Sequence, residues 1–312
     1  MAGSSSPDPV TAGSVPASPE RRAVARNRAT AIGFLAVLLW STLALTTVLT
    51  VPVPPFQLSA MTFALGGLAG LGWAAAGGRV HRLRRVPPAA LAFGTAGLFG
   101  YHALYFSALR LAPPAQAGLI AYLWPLLIVL LSGLLPGERL TGRHVLGALA
   151  AFAGAALLIL SRGESGAASA PAPMLGFALA AACAIVWAVY SLGSRRLAGV
   201  PTEGVALTCL ATAVLSALAH ALLEQTRWPA DVGGWIAVAM LGLGPVGAAF
   251  FLWDIGVKGG NIQVLGTAAY AAPVLSTLLL VVAGAAQPSP ALLAAALLIA
   301  GGAALAAGGR RR

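Results

Sequence analysis

The sequence predicts an all-α integral membrane protein in which ten transmembrane helices form two inverted five-helix repeats. Of the 312 residues, 59% are hydrophobic and only 9% are charged, whereas a soluble domain carries about 25% charged residues. The hydrophobic residues form ten runs, each long enough to cross about 30 Å of hydrocarbon. The two halves of the chain also resemble each other in sequence. These observations exclude an ordinary soluble protein.

Residues 1–28 precede the first apolar run and are rich in serine, proline and alanine. Such a segment buries too little apolar surface to fold, so we expect a disordered cytoplasmic tail. The pattern differs from that of a secretory signal, because the first run is about 21 residues long and lacks a short apolar core and a processing site.

The ten predicted spans follow one another with short breaks that hold glycine, proline and basic residues. Their predicted bounds are 30–50, 55–77, 88–110, 115–134, 144–162, 173–194, 203–223, 233–257, 261–284 and 289–308. The loops between the spans are too short to hold an extramembrane domain. The 38 glycines suit close contacts between helices, since lipid leaves van der Waals packing as a main attraction between them.

The basic residues predict the orientation of the spans. With the N-terminus in the cytoplasm, 16 of the 19 lysine and arginine residues lie on the cytoplasmic side, including the three at 310–312. Only Arg110, Arg162 and Arg227 lie on the other side. We therefore expect both termini in the cytoplasm and the chain in the inner membrane. Short basic runs do not form the single basic face of a nucleic-acid-binding protein, and we expect no nucleic-acid partner.

An internal repeat relates the two halves of the chain. When the sequence is shifted by 148 residues, 118–131 aligns with 266–279, and 7 of the 14 positions are identical. We predict one five-helix repeat over 29–163, a linker over 164–172 and a second repeat over 173–309. Because five is an odd number, the second repeat has the opposite orientation in the membrane. Inverted repeats are typical of secondary transporters, whose substrate site lies near the midplane between the halves.

Two uncommon residue types recur in this repeat. Tyr122 aligns with Tyr270, and Pro125 aligns with Pro273. Proline lacks a backbone N–H and interrupts helices, so we predict helix breaks or gating points at Pro125, Pro245 and Pro273. In secondary transporters, the amides at such breaks hold anionic groups of the substrate.

Several polar aromatic residues fall at the centres of spans rather than at their ends. Tryptophan and tyrosine normally form belts at the membrane interfaces, as we expect for Trp73, Trp228, Trp235 and Trp253. The central aromatic residues are Trp40, Trp124, Trp187, Tyr101, Tyr105, Tyr122, Tyr190 and Tyr270. A tyrosine hydroxyl that faces acyl chains is unpaired, at a cost of about 1–3 kcal/mol. These residues therefore predict an interior cavity, although ordinary packing against a backbone carbonyl is the alternative for any one tyrosine.

His102 is the only histidine deep inside a predicted span, and it lies beside Tyr101. It either contacts a substrate or hydrogen-bonds a neighbour as a structural residue, and the sequence leaves both interpretations open.

Two pairs of ionisable residues lie four positions apart near the ends of spans. Asp254 and Lys258 predict an ion pair at the cytoplasmic end of the eighth span. His220 and Glu224 predict a similar but solvated pair at the outer end of the seventh span. Both pairs are expected to be structural.

The absence of charge near the midplane restricts the cargo. No lysine or arginine lies there to hold a strongly anionic cargo, and no acid lies in the first span to hold a cation. The sequence shows neither a metal-binding motif nor a Ser/His/Asp set, so we expect no metal, no prosthetic cofactor and no enzymatic activity. An uncharged, aromatic-lined cavity suits a zwitterion with an apolar side chain, because the ammonium group can contact an aromatic face.

The arrangement of spans resembles the EamA-type branch of the drug/metabolite transporter superfamily over about 30–309. The stretch GYHALY at 100–105, AYLWP at 121–125 and Trp187 resemble the YddG-type aromatic amino-acid exporters. The resemblance implies an alternating-access exporter of aromatic and other apolar amino acids. It also implies a central cavity lined by Tyr101, His102, Tyr105, Tyr122, Trp124 and Trp187. Depth in the membrane alone adds Trp40, Tyr190 and Tyr270.

The ninth span departs from the fourth in a way that predicts an uneven cavity, since Ala271-Ala272 stands where the fourth span has Leu123-Trp124. The alternative function within the superfamily is export of another neutral metabolite or drug. A membrane-embedded enzyme or a scaffold is disfavoured, because the sequence has no reactive polar set and no extramembrane domain. The expected partners are a small-molecule substrate and the bilayer. A monomer is compatible with the pattern, and the oligomeric state and driving force stay open.

Overall fold

The computed structural model describes residues 19–132, 142–160, 171–194, 197, 199–260, 265, 269 and 271–307, and every regular element within them is helical. In chain order the helices are α1 Pro19–Ser41, α2 Leu43–Val48, α3 Pro55–Ala76, α4 Pro88–Leu111, α5 Pro114–Ala121, α6 Trp124–Ser132, α7 Gly142–Leu160, α8 Pro173–Ser194, α9 Gly204–Leu223, α10 Val232–Leu243, α11 Ala249–Gly259, α12 Ala271–Val282 and α13 Pro290–Ala307. A 3₁₀ turn covers Val80–Arg85, and a π-helical turn covers Gly244–Ala248.

The prediction of a helical membrane protein is confirmed. Five helical stretches are long and apolar enough to cross a bilayer, namely Ala23–Val48, Pro55–Ala76, Pro173–Ser191, Gly204–Leu223 and Val232–Gly256. Val145–Gly154, Ala271–Val282 and Pro290–Gly302 are shorter apolar helices.

The first helix begins earlier than the sequence pattern predicts. Residues 19–28 were expected to belong to the disordered tail, but α1 begins at Pro19. Proline favours the first position of a helix, where its missing N–H has no role, and Glu20 lies in the first turn near the positive end of the helix dipole. The predicted boundary between tail and helix is therefore wrong by about ten residues. Residues 1–18 lie outside the described chain.

Three predicted spans are interrupted by local breaks. The first span divides into α1 and α2 at Thr42, and the fourth divides into α5 and α6 at Tyr122–Leu123. Pro125 is the second residue of α6, where its missing N–H is tolerated. The eighth span is interrupted by the π-helical turn that joins α10 to α11 and contains Pro245. Pro273 is the third residue of α12.

Helices of the N-terminal half pack mainly against helices of the C-terminal half. The most extensive contacts join α3 with α9, α1 with α11, α4 with α8, and α7 with α13. The buried core thus lies between the two halves of the chain. Trp40, Tyr101, Tyr122 and Trp187 all belong to it.

Glycines allow these helices to approach closely. A Cβ atom on Gly33 of α1 would lie 2.9 Å from the Cα of Gly256 in α11. A Cβ atom on Gly302 of α13 would lie 2.5 Å from the carbonyl oxygen of Gly147 in α7. Real Cβ contacts are longer than both distances, and the opposing atoms are backbone atoms that cannot rotate away. The two interfaces therefore require glycine.

The predicted pair of Asp254 and Lys258 is confirmed, with 2.6 Å between Lys258 Nζ and Asp254 Oδ2. The predicted pair of His220 and Glu224 is also confirmed, with 2.9 Å between His220 Nδ1 and Glu224 Oε2, but the expectation that it is solvated is wrong. The Glu224 carboxylate accepts hydrogen bonds from the backbone N–H groups of Phe56 and Gln57, at 2.9 and 3.0 Å, and its side chain is 12% exposed. It caps the start of α3, where Pro54 offers no side-chain cap.

Two adjacent glycines of α13 provide a matched test of the packing. Gly302→Ala should lower the free energy of unfolding by about 1–3 kcal/mol, because the new methyl group meets backbone atoms of α7. Gly301→Ala should cause no loss, because a Cβ there meets nothing within 4 Å and alanine favours helix over glycine by about 1 kcal/mol. Unfolding of both purified variants in detergent measures the difference, and equal stability would contradict this packing.

Candidate functional site

Aromatic side chains from four helices meet between the two halves of the chain. The indole ring of Trp40 on α1 lies 5.9 Å from the ring of Trp187 on α8, in an edge-to-face arrangement. It also lies 6.0 Å from the ring of Phe250 and 5.1 Å from the ring of Trp253, both on α11. Tyr101 on α4 completes the cluster with its ring centre 5.0 Å from that of Trp187. Such contacts contribute about 0.5–1.5 kcal/mol each beyond their buried area.

Helical spacing explains how each helix presents its aromatic residues. Tyr101 and Tyr105 are one turn apart on α4, and their rings stack at 5.7 Å with an interplanar angle of 9°. Phe250 and Trp253 are three positions apart on α11 and therefore share a face. The three- and four-residue spacings in the sequence therefore place these side chains on one side of each helix.

The aromatic cluster surrounds a small cavity. Its lining consists of Val37, Trp40, Leu43, Tyr101, His102, Tyr122, Trp124, Trp187, Phe250, Ala269 and Ala272, with no acidic or cationic side chain among these described residues. The cavity volume of about 20 Å³ holds about one water molecule. Pockets that hold small organic ligands measure roughly 300–1,000 Å³. A ligand of that size enters only if the aromatic side chains separate.

Hydrogen bonds of Trp40 connect three segments at the edge of this cavity. The Tyr122 hydroxyl, at the break between α5 and α6, donates to the Trp40 carbonyl oxygen at 2.9 Å. The Trp40 indole N–H donates to the carbonyl oxygen of Pro245 at 3.2 Å. Pro245 lies in the π-helical turn that joins α10 to α11. The three residues therefore link the first, fourth and eighth predicted spans.

His102 lines the cavity and is 1% exposed. Its Nδ1 lies 2.9 Å from the carbonyl oxygen of Leu98, one turn earlier on α4. Because a carbonyl oxygen only accepts hydrogen bonds, this contact places the proton on Nδ1, and the neutral ring keeps Nε2 as an acceptor. The rings of Phe63 and His102 are nearly perpendicular, with 4.7 Å between their centres. The ring is thus held in a fixed orientation with one acceptor nitrogen.

The structure brings together most of the predicted cavity residues but not all. Tyr101, His102, Tyr122, Trp124, Trp187 and Trp40 line the cavity. Tyr105 lies behind Tyr101, is 2% exposed, and its hydroxyl has no hydrogen-bond partner in the described part of the chain. Tyr190 packs against Phe93 and Trp187 beside the cavity. Tyr270 lies outside the described residues.

Sequence reasoning missed two members of the cluster on α11. Phe250 lines the cavity, and Trp253 packs on Trp40 although its position predicts an interface belt. The π-helical turn before α11 changes the number of residues per turn, so the buried face of α11 does not continue the face of α10. The signal in the sequence is Pro245 between Gly244 and Gly247, which marks an irregular turn. Trp228 and Trp235 do stack on each other at an exposed position.

The chain matches known proteins along most of its length. Residues 28–160 and 174–308 both match the EamA-like transporter family. The chain is 57% identical over 256 residues to the aromatic amino acid exporter YddG of Ancylobacter novellus, covering 82% of this chain and 88% of that protein. It is 28% identical over 266 residues to the aromatic amino acid exporter YddG of Salmonella typhimurium, covering 80% and 87% of the two chains. A crystal structure of a protein 57% identical in sequence superposes with a TM-score of 0.72 over 90% of this chain and 98% of that one.

Two tyrosines with different hydroxyl environments test the geometry of the site. Tyr122→Phe should lower the free energy of unfolding by about 0.5–1.5 kcal/mol, because it removes the bond to the Trp40 carbonyl. Tyr105→Phe should leave stability unchanged or higher, because the hydroxyl it removes is buried without a partner among the described residues. Unfolding of the two variants in the same detergent compares them directly. If Tyr105→Phe were instead the less stable variant, the hydrogen bonding described for the two hydroxyls would be contradicted.

Proposed function

Because the chain belongs to the EamA-like transporter family, we propose that it exports aromatic and other apolar amino acids across the inner membrane by alternating access around the aromatic cavity. The observation that carries this proposal is the uncharged cavity between the two halves of the chain, lined by three tryptophans, two tyrosines and His102. The names of the two relatives, both aromatic amino acid exporters, support the substrate class.

The cavity lining suits each part of a zwitterionic amino acid. The faces of Trp124 and Trp187 can pack against an apolar or aromatic side chain. The same rings attract an ammonium group, and Nε2 of His102 can accept a hydrogen bond from it. The α6 helix begins at Trp124, Pro125 has no N–H, and the Leu127 N–H donates to the Leu123 carbonyl oxygen at 3.0 Å. The N–H groups of Trp124 and Leu126 are therefore our candidates for the substrate carboxylate.

The proposed architecture is ten membrane-spanning helices in two inverted five-helix repeats. The contacts between helices support this architecture. Span 1 packs on span 8 (α1 on α11), and span 3 packs on span 6 (α4 on α8). Span 2 packs on span 7 (α3 on α9), and span 5 packs on span 10 (α7 on α13). Exchanging the two repeats converts the contact of spans 1 and 8 into the contact of spans 6 and 3. The same exchange leaves the pairs 2–7 and 5–10 unchanged. A two-fold axis in the membrane plane produces this pattern.

Ion pairs between the two halves would close the proposed cytoplasmic side. Glu203, whose side chain is 3% exposed, lies 3.4 Å from both Arg79 Nε and Arg82 Nη1. Breaking such shielded pairs leaves charges uncompensated. Opening toward the cytoplasm therefore requires these pairs to separate or to become hydrated, and the 16 basic residues on this side support both termini being cytoplasmic.

Proteoliposomes containing the purified protein test the proposed function. Radiolabelled phenylalanine, tryptophan, leucine and methionine should equilibrate across the membrane faster than in empty liposomes. Trp124→Ala and Trp187→Ala should each reduce the initial rate roughly tenfold or more, because each removes an aromatic face from the cavity. Trp228→Ala is the matched control, since Trp228 is 58% exposed and packs outside the cluster, and its rate should be that of the unmodified protein.

Two outcomes would contradict the proposal. If none of the four amino acids equilibrates faster than in empty liposomes, the substrate class is wrong, and competition with neutral metabolites and drugs would then identify the alternative cargo. If both cavity variants insert normally and transport at the unmodified rate, the aromatic residues serve packing alone.

A further inference from the structure

A second cavity lies at one end of the molecule, where α4 ends and α5 begins. Its volume is about 410 Å³, and its lining includes Arg110, Pro114, Gln116 and the turn at Gly284 between α12 and α13. In the orientation that the basic residues predict, this is the outer side of the membrane. The volume falls within the range for pockets that hold small organic ligands. We refer to it as the outer vestibule.

Gln116 is a buried amide in this vestibule with unused hydrogen-bonding capacity. The residue is 1% exposed, and neither its Oε1 nor its Nε2 has a partner within the described chain. Buried side-chain amides are nearly always paired, because an unpaired one loses its bonds to water without replacement. An amide offers a donor and an acceptor together. Its natural partner is therefore a ligand that carries both kinds of group.

Arg110 adds a positive charge to the vestibule without a matching acid. Its guanidinium donates to the carbonyl oxygens of Thr47 and Val53, at 3.3 and 3.0 Å, and to the hydroxyl of Thr50 at 2.9 Å. All of these acceptors are neutral, and Nε has no partner among the described residues. No ion pair of the described chain includes Arg110. The half-buried guanidinium therefore favours an anionic group beside it.

The first turn of α5 reinforces this preference. The helix begins at Pro114, and Gln116 is its third residue. Early amides of a helix lack intrahelical acceptors, and the N-terminal end carries a partial positive charge. Three independent features, the helix end, the uncompensated guanidinium and the unpaired amide, thus converge on one cavity.

We propose that the outer vestibule is a second substrate subsite, which holds an amino acid by its carboxylate after it leaves the aromatic cavity. Arg110 supplies the charge. The amide atoms of Gln116 are closed off from the vestibule in this structure, so its side chain turns into the vestibule when the ligand binds, where Nε2 donates to the carboxylate and Oε1 accepts from the ammonium group. This inference rests on the proposed function, because it takes the amino acid as cargo. The α5 helix joins the two sites, since Gln116 lies in the vestibule and Tyr122 lines the aromatic cavity, about 9 Å apart along the helix axis.

Equilibrium binding of radiolabelled phenylalanine to the purified protein tests the subsite. The unmodified protein should bind two molecules per chain, because the two cavities are separate. Gln116→Met keeps the length of the side chain but removes both polar groups, so it should bind one molecule or weaken the second site roughly tenfold. Trp187→Ala should instead lose the central site. Gln225→Met is the matched control, because Gln225 is exposed outside the vestibule, and it should bind two molecules.

Competition identifies the group that the vestibule recognises. In Trp187→Ala, 3-phenylpropionate, which keeps the carboxylate, should displace phenylalanine, and phenylalanine amide, which lacks it, should not. Equal displacement by chloride or phosphate at the same ionic strength would reveal a general anion site and overturn the proposal.

Folding of the variants is measured alongside binding. Gln116→Met should be as stable as the unmodified protein or more stable, since it removes an unpaired buried amide. Gln116→Glu is a second variant, whose carboxylate repels that of the substrate and should abolish the outer site while pairing with Arg110. One molecule per chain in the unmodified protein, or two in Gln116→Met and Gln116→Glu, would overturn the subsite. If the protein still transports amino acids in that case, the proposed function stays intact. If it neither binds nor transports them, the proposed function itself is rejected.

Discussion

Trp40 holds the centre of the molecule together through its backbone and its side chain at once. Its carbonyl accepts the Tyr122 hydroxyl, its indole N–H donates to Pro245, and its ring contacts Trp187, Phe250 and Trp253. In a hydrocarbon environment no bulk water can replace a lost hydrogen bond, so polar groups at this depth need partners within the protein. The two helix irregularities, at Tyr122 and at Pro245, both lie beside Trp40, which accepts from the Tyr122 hydroxyl and donates to the Pro245 carbonyl oxygen.

The same constraint explains why this centre can also be a binding site. A cavity of about 20 Å³ leaves no space for an amino acid, and the walls come from both halves of the chain. In the proposed alternating access, relative movement of the halves separates the rings and exposes hydroxyl, imidazole and indole groups to the substrate. A ligand that replaces the lost ring contacts with its own side chain and ammonium group offsets the cost of separation. Under this proposal, one set of residues packs the closed centre and binds the substrate when the centre opens.

Much of this arrangement could be predicted from the sequence, because the bilayer imposes simple rules. Hydrophobic run length predicted the five helical stretches that are long and apolar enough to cross a bilayer, and the four-residue spacing of Asp254 and Lys258 predicted their ion pair. Placement of Tyr101, Trp124 and Trp187 in one cavity agrees with their depth in the predicted spans. These features depend on local periodicity or on depth, both of which a single sequence contains.

The features that the sequence did not predict depend on contacts between distant segments or on irregular turns. Glu224 caps a helix more than 160 residues earlier in the chain, and no local pattern signals that partner. Trp253 joins the cluster only because the π-helical turn reorients α11. Arg110 and Gln116 are unremarkable in sequence, and their shared cavity lies between the end of α4, the start of α5 and the turn that follows α12. Long-range packing, rather than propensity, decides each of these cases.

The central claim is that the aromatic cluster between the two halves opens to bind an amino acid, and an experimental structure with phenylalanine bound tests it most directly. The account predicts the phenyl ring between Trp124 and Trp187, the ammonium group near His102, and a cavity enlarged from about 20 Å³ to several hundred Å³ as in other ligand sites. Phenylalanine bound elsewhere, with the rings around Trp40 in their present contacts, would contradict it.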